Sequence, residues 1–235
     1  MPILDYVIIA VVAYLLGSVP TGFLVARAKG IDIRTVGSGN IGATNAMRVL
    51  GKPAGICVLL IDALKGYVAC CLGALICIYF GPGLDFGGLH SITGFGADSS
   101  DLAFDEYTGR IERCAIIAGI FAVLGHNYTC WLKFKGGKGI ATSAGVYLAL
   151  APWAVLIAAV VFLLSLLATR YVSVGSISAA VVLPAAVWIL PPHNLLLGIV
   201  TTVLGALAIY KHKGNIQRLI AGTENRLRFK KKETT

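Results

Sequence analysis

Seven stretches of apolar side chains, at residues 3–26, 53–80, 111–126, 139–151, 153–169, 173–190 and 194–210, limit what this chain can fold into. A helix needs about 20 mostly apolar residues to cross the hydrocarbon core of a bilayer. Stretches of this length leave little polar sequence for a water-facing shell. Only 13% of the residues are charged and the mean hydropathy is +0.82, whereas an ordinary soluble domain carries charge on roughly a quarter of its residues. A soluble monomer is excluded. The expectation is an all-α polytopic membrane protein of about seven transmembrane helices, forming one integral membrane domain over residues 1–235. The stretch 139–151 is the shortest, and a half-buried or re-entrant course there would reduce the count to six. Prolines punctuate the stretches at Pro152, Pro191 and Pro192, while Pro20 and Pro184 lie inside apolar runs and predict kinks. Asp5 stands where a secretory signal has its basic region, so the first run is expected to remain as a span.

Orientation follows from charge, because cytoplasmic loops are enriched in Lys and Arg. Arg27, Lys29, Arg34, Arg48 and Lys52 follow the first stretch, Lys133, Lys135 and Lys138 follow the third, Arg170 follows the fifth, and a basic tail begins at Lys211. That alternation places the N-terminus outside and the C-terminus in the cytoplasm. Residues 81–110 differ from the rest, being glycine-rich with five acids against one Arg; they predict an acidic external insertion that serves as a spacer. The net charge of +9 points to anionic lipid or phosphorylated ligands rather than nucleic acid. The cysteines sit in apolar runs without a zinc spacing, so they read as packing residues, and no metal is expected.

Four polar clusters carry candidate chemistry. In GSGNIGATNAMRVLG, Gly37–Gly51, the side chains of Ser38, Asn40, Thr44, Asn45 and Arg48 stand among glycines that let backbone amides approach an anion. In LKFKGGKGIATSAG, Leu132–Gly145, Gly136, Gly137 and Gly139 surround Lys138 at the start of a helix, a setting that attracts phosphate. The spacing is not that of a nucleotide-binding loop. In KHKGNIQRLIAGTENRL, Lys211–Leu227, His212 and Asn215 share one helical face, and Glu224 either pairs with Arg218 or Arg226 or takes part in the site. Asp62 and Lys65 lie deep in the second stretch, where an isolated charge costs about 2.5–3.5 kcal/mol. They satisfy each other or a ligand, the structural pair being favoured. None of His90, His126, His193 or His212 has an aspartate five residues on, so the HxxxxD acyltransferase signature is absent.

With GSGNIGATNAMRVLGKPAG, GHNYTCWLKFKGGKGIATSAG and HKGNIQRLIAGTENRL in this order, and with GSVPTGFLVAR, IDALKG and RYVSVGSIS between them, the chain closely resembles the bacterial membrane acyl-phosphate:glycerol-3-phosphate acyltransferase family, PlsY. The acidic segment departs from that pattern. The resemblance implies transfer of a fatty acyl group from acyl phosphate to the sn-1 hydroxyl of glycerol-3-phosphate, giving lysophosphatidic acid and inorganic phosphate in phospholipid biosynthesis. It implies no cofactor, and an active site on the cytoplasmic side of the bacterial inner membrane. It assigns activity to Ser38, Arg48, His212 and Asn215, glycerol-3-phosphate binding to Gly136, Gly137, Lys138 and Gly139, a further contact to Ser176, and integrity to Glu224. A membrane transporter or flippase for a phosphorylated small molecule or lipid is the alternative, disfavoured by the missing internal repeat and by polar motifs gathered on one face.

Overall fold

The structure is a computed structural model that describes residues 3–80, 99–191 and 193–227, with side chains from 104 onward in the second of these stretches. Ten α-helices and one short 3-10 turn make up the described fold: α1 (Ile3–Ser18), α2 (Thr21–Arg27), α3 (Ala43–Leu50), α4 (Lys52–Phe80), α5 (Ser99–Asn127), the turn Cys130–Leu132, α6 (Ile140–Leu150), α7 (Pro152–Thr169), α8 (Val172–Ile189), α9 (Leu195–Lys211) and α10 (Lys213–Ile220). Among the described residues there is no strand.

Helix ends follow local chemistry. Pro20 has no N–H to continue α1, so the first apolar run becomes two helices with a break at Val19–Pro20. Pro152 opens α7 at a position where its missing N–H is not needed. Asn194 caps α9 by accepting the Leu197 N–H at 3.0 Å. Pro184 lies inside α8, which continues through it as one helix.

Among the described residues, five helical stretches are long and apolar enough to cross a membrane, or six if the bent pair α9–α10, with 52° between its helices, counts as one span. The expected count of seven relied on the stretch 139–151. That stretch forms the 11-residue α6, about 16 Å long at 1.5 Å per residue and shorter than a bilayer core. The third span also differs from expectation, because α5 begins at Ser99 rather than near 111. Acidic residues are favourable near a helix N-terminus, and a Glu106–Arg110 pair at 3.3 Å ties successive turns. Residues 99–110 of the expected insertion are therefore helical, and its remainder, 81–98, lies outside the described residues.

The described chain falls into two compact units, one ending at Leu150 and one beginning at Ala151. In the first, small residues let helices approach closely, as is usual where lipid supplies no hydrophobic drive between helices. A Cβ at Gly17 or Gly125 would strike the backbone across the α1–α5 contact, and one at Gly66 or Gly145 would do so between α4 and α6. Ile9, Ala13, Ala69, Cys77, Cys114, Ala118 and Ala122 fill one apolar cluster, in which the cysteines remain free thiols. In the second unit, α8 packs between α7 and α9. There Leu163, Leu164 and Leu167 of α7 are exposed, as side chains facing lipid would be.

Candidate functional site

In the first unit, the loop between α2 and α3 is built by its own polar side chains. Asp32 accepts three hydrogen bonds from Arg34, from the backbone N–H at 3.0 Å, Nε at 2.9 Å and Nη2 at 2.6 Å. The side-chain bonds, then the backbone bond, hold the Asp32 carboxyl down at about 2. Asn45, only 1% exposed, reaches back from α3. Its Oδ1 accepts the Ser38 N–H at 2.8 Å, and its Nδ2 donates to the carbonyls of Ile33 at 3.2 Å and Val36 at 3.1 Å. Gly37 adopts φ 64° against that amide, where a Cβ would collide with Asn45 Oδ1. Asn40 Oδ1 accepts the Gly42 N–H at 3.0 Å and starts α3. Both asparagines thus hold the loop together. Ser38 and Arg48 remain exposed and Thr44 is half-buried; Thr44 and Arg48 sit one helical turn apart on α3.

A second centre lies where the α1–α2 break, α4 and the end of α5 meet. Asp62 and Lys65 pair at 2.7 Å with both side chains buried. Thr21 donates its hydroxyl to Asp62 at 3.0 Å, and Lys65 Nζ donates to the Val19 carbonyl at 2.9 Å and contacts His126 Nδ1 at 3.0 Å. Thr129 Oγ1 donates to the Ser18 carbonyl at 2.6 Å. The break at Pro20 removes regular helical partners from neighbouring carbonyls, and Lys65 and Thr129 satisfy two of them. This accounts for a lysine inside a span.

The glycine-rich turn rests on this centre. Gly136 N–H donates to the Asn127 carbonyl at 3.2 Å and Gly137 N–H to the His126 carbonyl at 3.0 Å. These two amides, expected near phosphate, bond to the end of α5. Gly139, at φ 83°, opens α6 with its carbonyl accepting the Ser143 N–H at 2.7 Å, and Lys138 beside it is half-buried. Leu132, just before the turn, packs in one apolar cluster with Ile33, Ile41 and Ala46, which joins this segment to the α2–α3 loop.

In the second unit, His212 sits 2% exposed at the bend between α9 and α10. Its Nδ1 is 2.8 Å from the Ala208 carbonyl. A carbonyl only accepts, so Nδ1 carries a proton. Glu224 is buried and accepts from Asn215 Nδ2 at 2.7 Å, Arg218 Nε at 2.7 Å and Ser173 Oγ at 3.0 Å, which joins α8, α10 and the segment after it. Ser176 returns its hydroxyl to the Val172 carbonyl at 3.0 Å. Burial alone would raise the Glu224 carboxyl, but the bonds from Asn215, Arg218 and Ser173 outweigh it and leave it below the ordinary range. Stability from such a group is complete above the unfolded value of about 4.3 and is lost as pH falls through the lower folded value. Glu224→Gln should cost about 2 kcal/mol at neutral pH and make the melting temperature less sensitive to acid below about pH 4.3. Equal acid sensitivity in the two proteins would assign the titration to another group.

Comparison with known proteins identifies the fold's owner. Residues 7–222 match the family model for glycerol-3-phosphate acyltransferase. The chain belongs to this family. It is 42% identical to the glycerol-3-phosphate acyltransferase of Geobacter sulfurreducens over 225 residues, covering 96% of this chain and 99% of that one. It is 44% identical to that of Geobacter metallireducens over 216 residues, covering 92% and 94%. Among solved structures it is similar to PlsY, an integral membrane glycerol 3-phosphate acyltransferase, in its glycerol 3-phosphate form, with TM-score 0.76, 34% identity and coverage of 95% and 96%. The lysophosphatidic acid form of PlsY gives 0.73, 33% identity and 95% of both chains. The chain is therefore an integral membrane glycerol-3-phosphate acyltransferase, and the transporter alternative is set aside. Within this acyltransferase, His126 and Thr129, which the sequence reading left out, join the buried Asp62–Lys65 centre and the Ser18 carbonyl at the Pro20 break. Their signal was GHNYT at the end of an apolar run, polar residues whose partners lie in other spans.

Proposed function

We propose that this acyltransferase uses acyl phosphate as its donor, works at the cytoplasmic face of the bacterial inner membrane and releases lysophosphatidic acid and inorganic phosphate. The family match extends across both compact units, which supports one acyltransferase domain over residues 1–235. The basic loops support the cytoplasmic placement. The donor assignment is carried by the resemblance of GSGNIGATNAMRVLGKPAG, GHNYTCWLKFKGGKGIATSAG and HKGNIQRLIAGTENRL, in this order, to the acyl-phosphate-dependent family. Acyl phosphate is already activated, so the protein has chiefly to hold two anions, exclude water and stabilise the oxyanion. Arg48 and Lys138 clamp phosphate, and the exposed Ser38 hydroxyl donates to phosphate or to the reacting carbonyl.

The sn-1 hydroxyl oxygen attacks the acyl carbonyl carbon, the bond from that carbon to the phosphate oxygen breaks, and phosphate leaves. The hydroxyl proton passes to His212, whose ring is held through Nδ1 by the Ala208 carbonyl. Asn215 keeps its place beside Glu224, and Ser176 is the further contact that the resemblance implies. Transfer is direct, without an acyl-enzyme. Purified protein given palmitoyl phosphate should release phosphate only when glycerol-3-phosphate is present, with lysophosphatidic acid formed in equal amount. Intact-mass measurement after incubation with the donor alone should find no adduct. A stoichiometric acyl adduct on Ser38 that glycerol-3-phosphate chases into product would refute direct transfer.

A further inference from the structure

Counting protons fixes the state of the buried centre under the glycine-rich turn. An ammonium has three N–H groups and no acceptor. Lys65 Nζ has three acceptors around it: Asp62 Oδ1 at 2.7 Å, the Val19 carbonyl at 2.9 Å and His126 Nδ1 at 3.0 Å. With all three spent in this way, His126 Nδ1 accepts and the ring proton lies on Nε2. That nitrogen is the atom nearest to where a Gly137 side chain would begin, because a Cβ built there would land on it. The main chain of α5 holds the same turn from the other side through the Gly136 and Gly137 N–H bonds. Gly139 closes against Asn127, whose Oδ1 would lie 2.8 Å from a Cβ at that glycine. Lys138 is therefore carried on a turn fixed before and after it.

A buried ion pair gains little over well-packed apolar side chains of equal volume; what it provides here is direction. Asp62 and Thr21 orient Lys65, Lys65 orients the imidazole, and the imidazole supports Gly137. We propose that His126 is a positioning residue that, held by Asp62 and Lys65, sets where the glycine-rich turn presents Lys138 and so sets the affinity for glycerol-3-phosphate. The inference rests on Lys138 acting as a phosphate clamp. His126 itself touches no substrate.

The test is a coupling cycle on the full chain in detergent, with KM for glycerol-3-phosphate, KM for palmitoyl phosphate, kcat and melting temperature measured for each variant. Gly137→Ala pushes the turn off the ring and should raise KM for glycerol-3-phosphate by about 10-fold, while kcat changes by less than about 3-fold, the mark of lost uniform binding. His126→Asn keeps an acceptor for Lys65 and vacates the space beside Gly137. Alone it should raise the same KM about 5-fold, and in the double variant it should make room for the methyl and bring KM back to within about 3-fold of the parent. A purely structural role would lower melting temperature and all kinetic constants together, with no rescue. Lys138→Ala separates the two ideas. If it leaves KM for glycerol-3-phosphate unchanged, the clamp and this inference both fail. If it raises that KM while the His126 and Gly137 variants leave it unchanged or show additive effects, this inference alone fails. Should Gly137→Ala not fold, an unchanged KM in folded His126→Asn overturns the proposal and a raised one supports it.

Discussion

Lys65→Met should lower the stability of the folded protein by about 3–5 kcal/mol, the range found when one partner of a buried ion pair is removed. The substitution leaves Asp62, 2% exposed, with the Thr21 hydroxyl as its remaining bond and with the His126 ring 3.7 Å away. It also removes the ammonium from the Val19 carbonyl beside the Pro20 break. The loss is therefore larger than that of one charge-assisted hydrogen bond, about 1.5–3 kcal/mol. Replacing both partners, as Asp62→Leu with Lys65→Met, removes the stranded charge and should recover most of the stability. Thermal unfolding of the three proteins in one detergent checks this. A Lys65→Met protein as stable as the parent would mean that the pair contributes nothing to holding α4 against α1 and α2.

The spans were legible because their signal is local. Apolar runs and prolines placed α4, α7, α8 and α9 to within a residue or two, since a helix in lipid satisfies its backbone internally and needs no distant partner. The start of α5 was not legible. Acidic residues between 99 and 110 suggest a loop by composition, yet they extend a helix whose first turns favour negative charge. The site divides in the same way. The sequence displays which donors exist near a motif, but not which are already bonded within the protein. Asn40 Oδ1, the Asn45 amide and the Gly136 and Gly137 N–H groups, which the motif displays as donors and acceptors, are bonded within their turns. His126 looks incidental because its partners, Lys65 and Asp62, lie more than 60 residues away. Glu224 and Ser173 are 51 apart in sequence and 3.0 Å apart in the structure. Contacts of that separation depend on how the helices cross, which no short motif records.

With those amides bonded within the loop, the proposed phosphate clamp rests on formal charge. Arg48→Ala should therefore reduce kcat/KM by about 10-fold to 150-fold, the equivalent of the 1.5–3 kcal/mol typical of a charge-assisted contact. Arg48 is exposed on α3, one turn from Thr44 and three residues from the buried Asn45 that fixes the Ser38 loop. The helix holding it is rigidly placed, because a Cβ at Gly55 of α4 would collide with Met47. Lys133 is the control. It carries positive charge on an exposed left-handed residue, φ 54°, after the Cys130–Leu132 turn. Lys133→Ala should change kcat/KM by less than about 2-fold, since surface substitutions away from a site usually shift free energies by no more than about 0.5 kcal/mol. Arg48→Lys should fall between the two, retaining charge but losing the planar fork that binds two phosphate oxygens together. Steady-state rates of phosphate release, with each substrate varied in turn, separate these outcomes. Small and equal effects at Arg48 and Lys133 would move the clamp away from α3 and leave Lys138 as its cation.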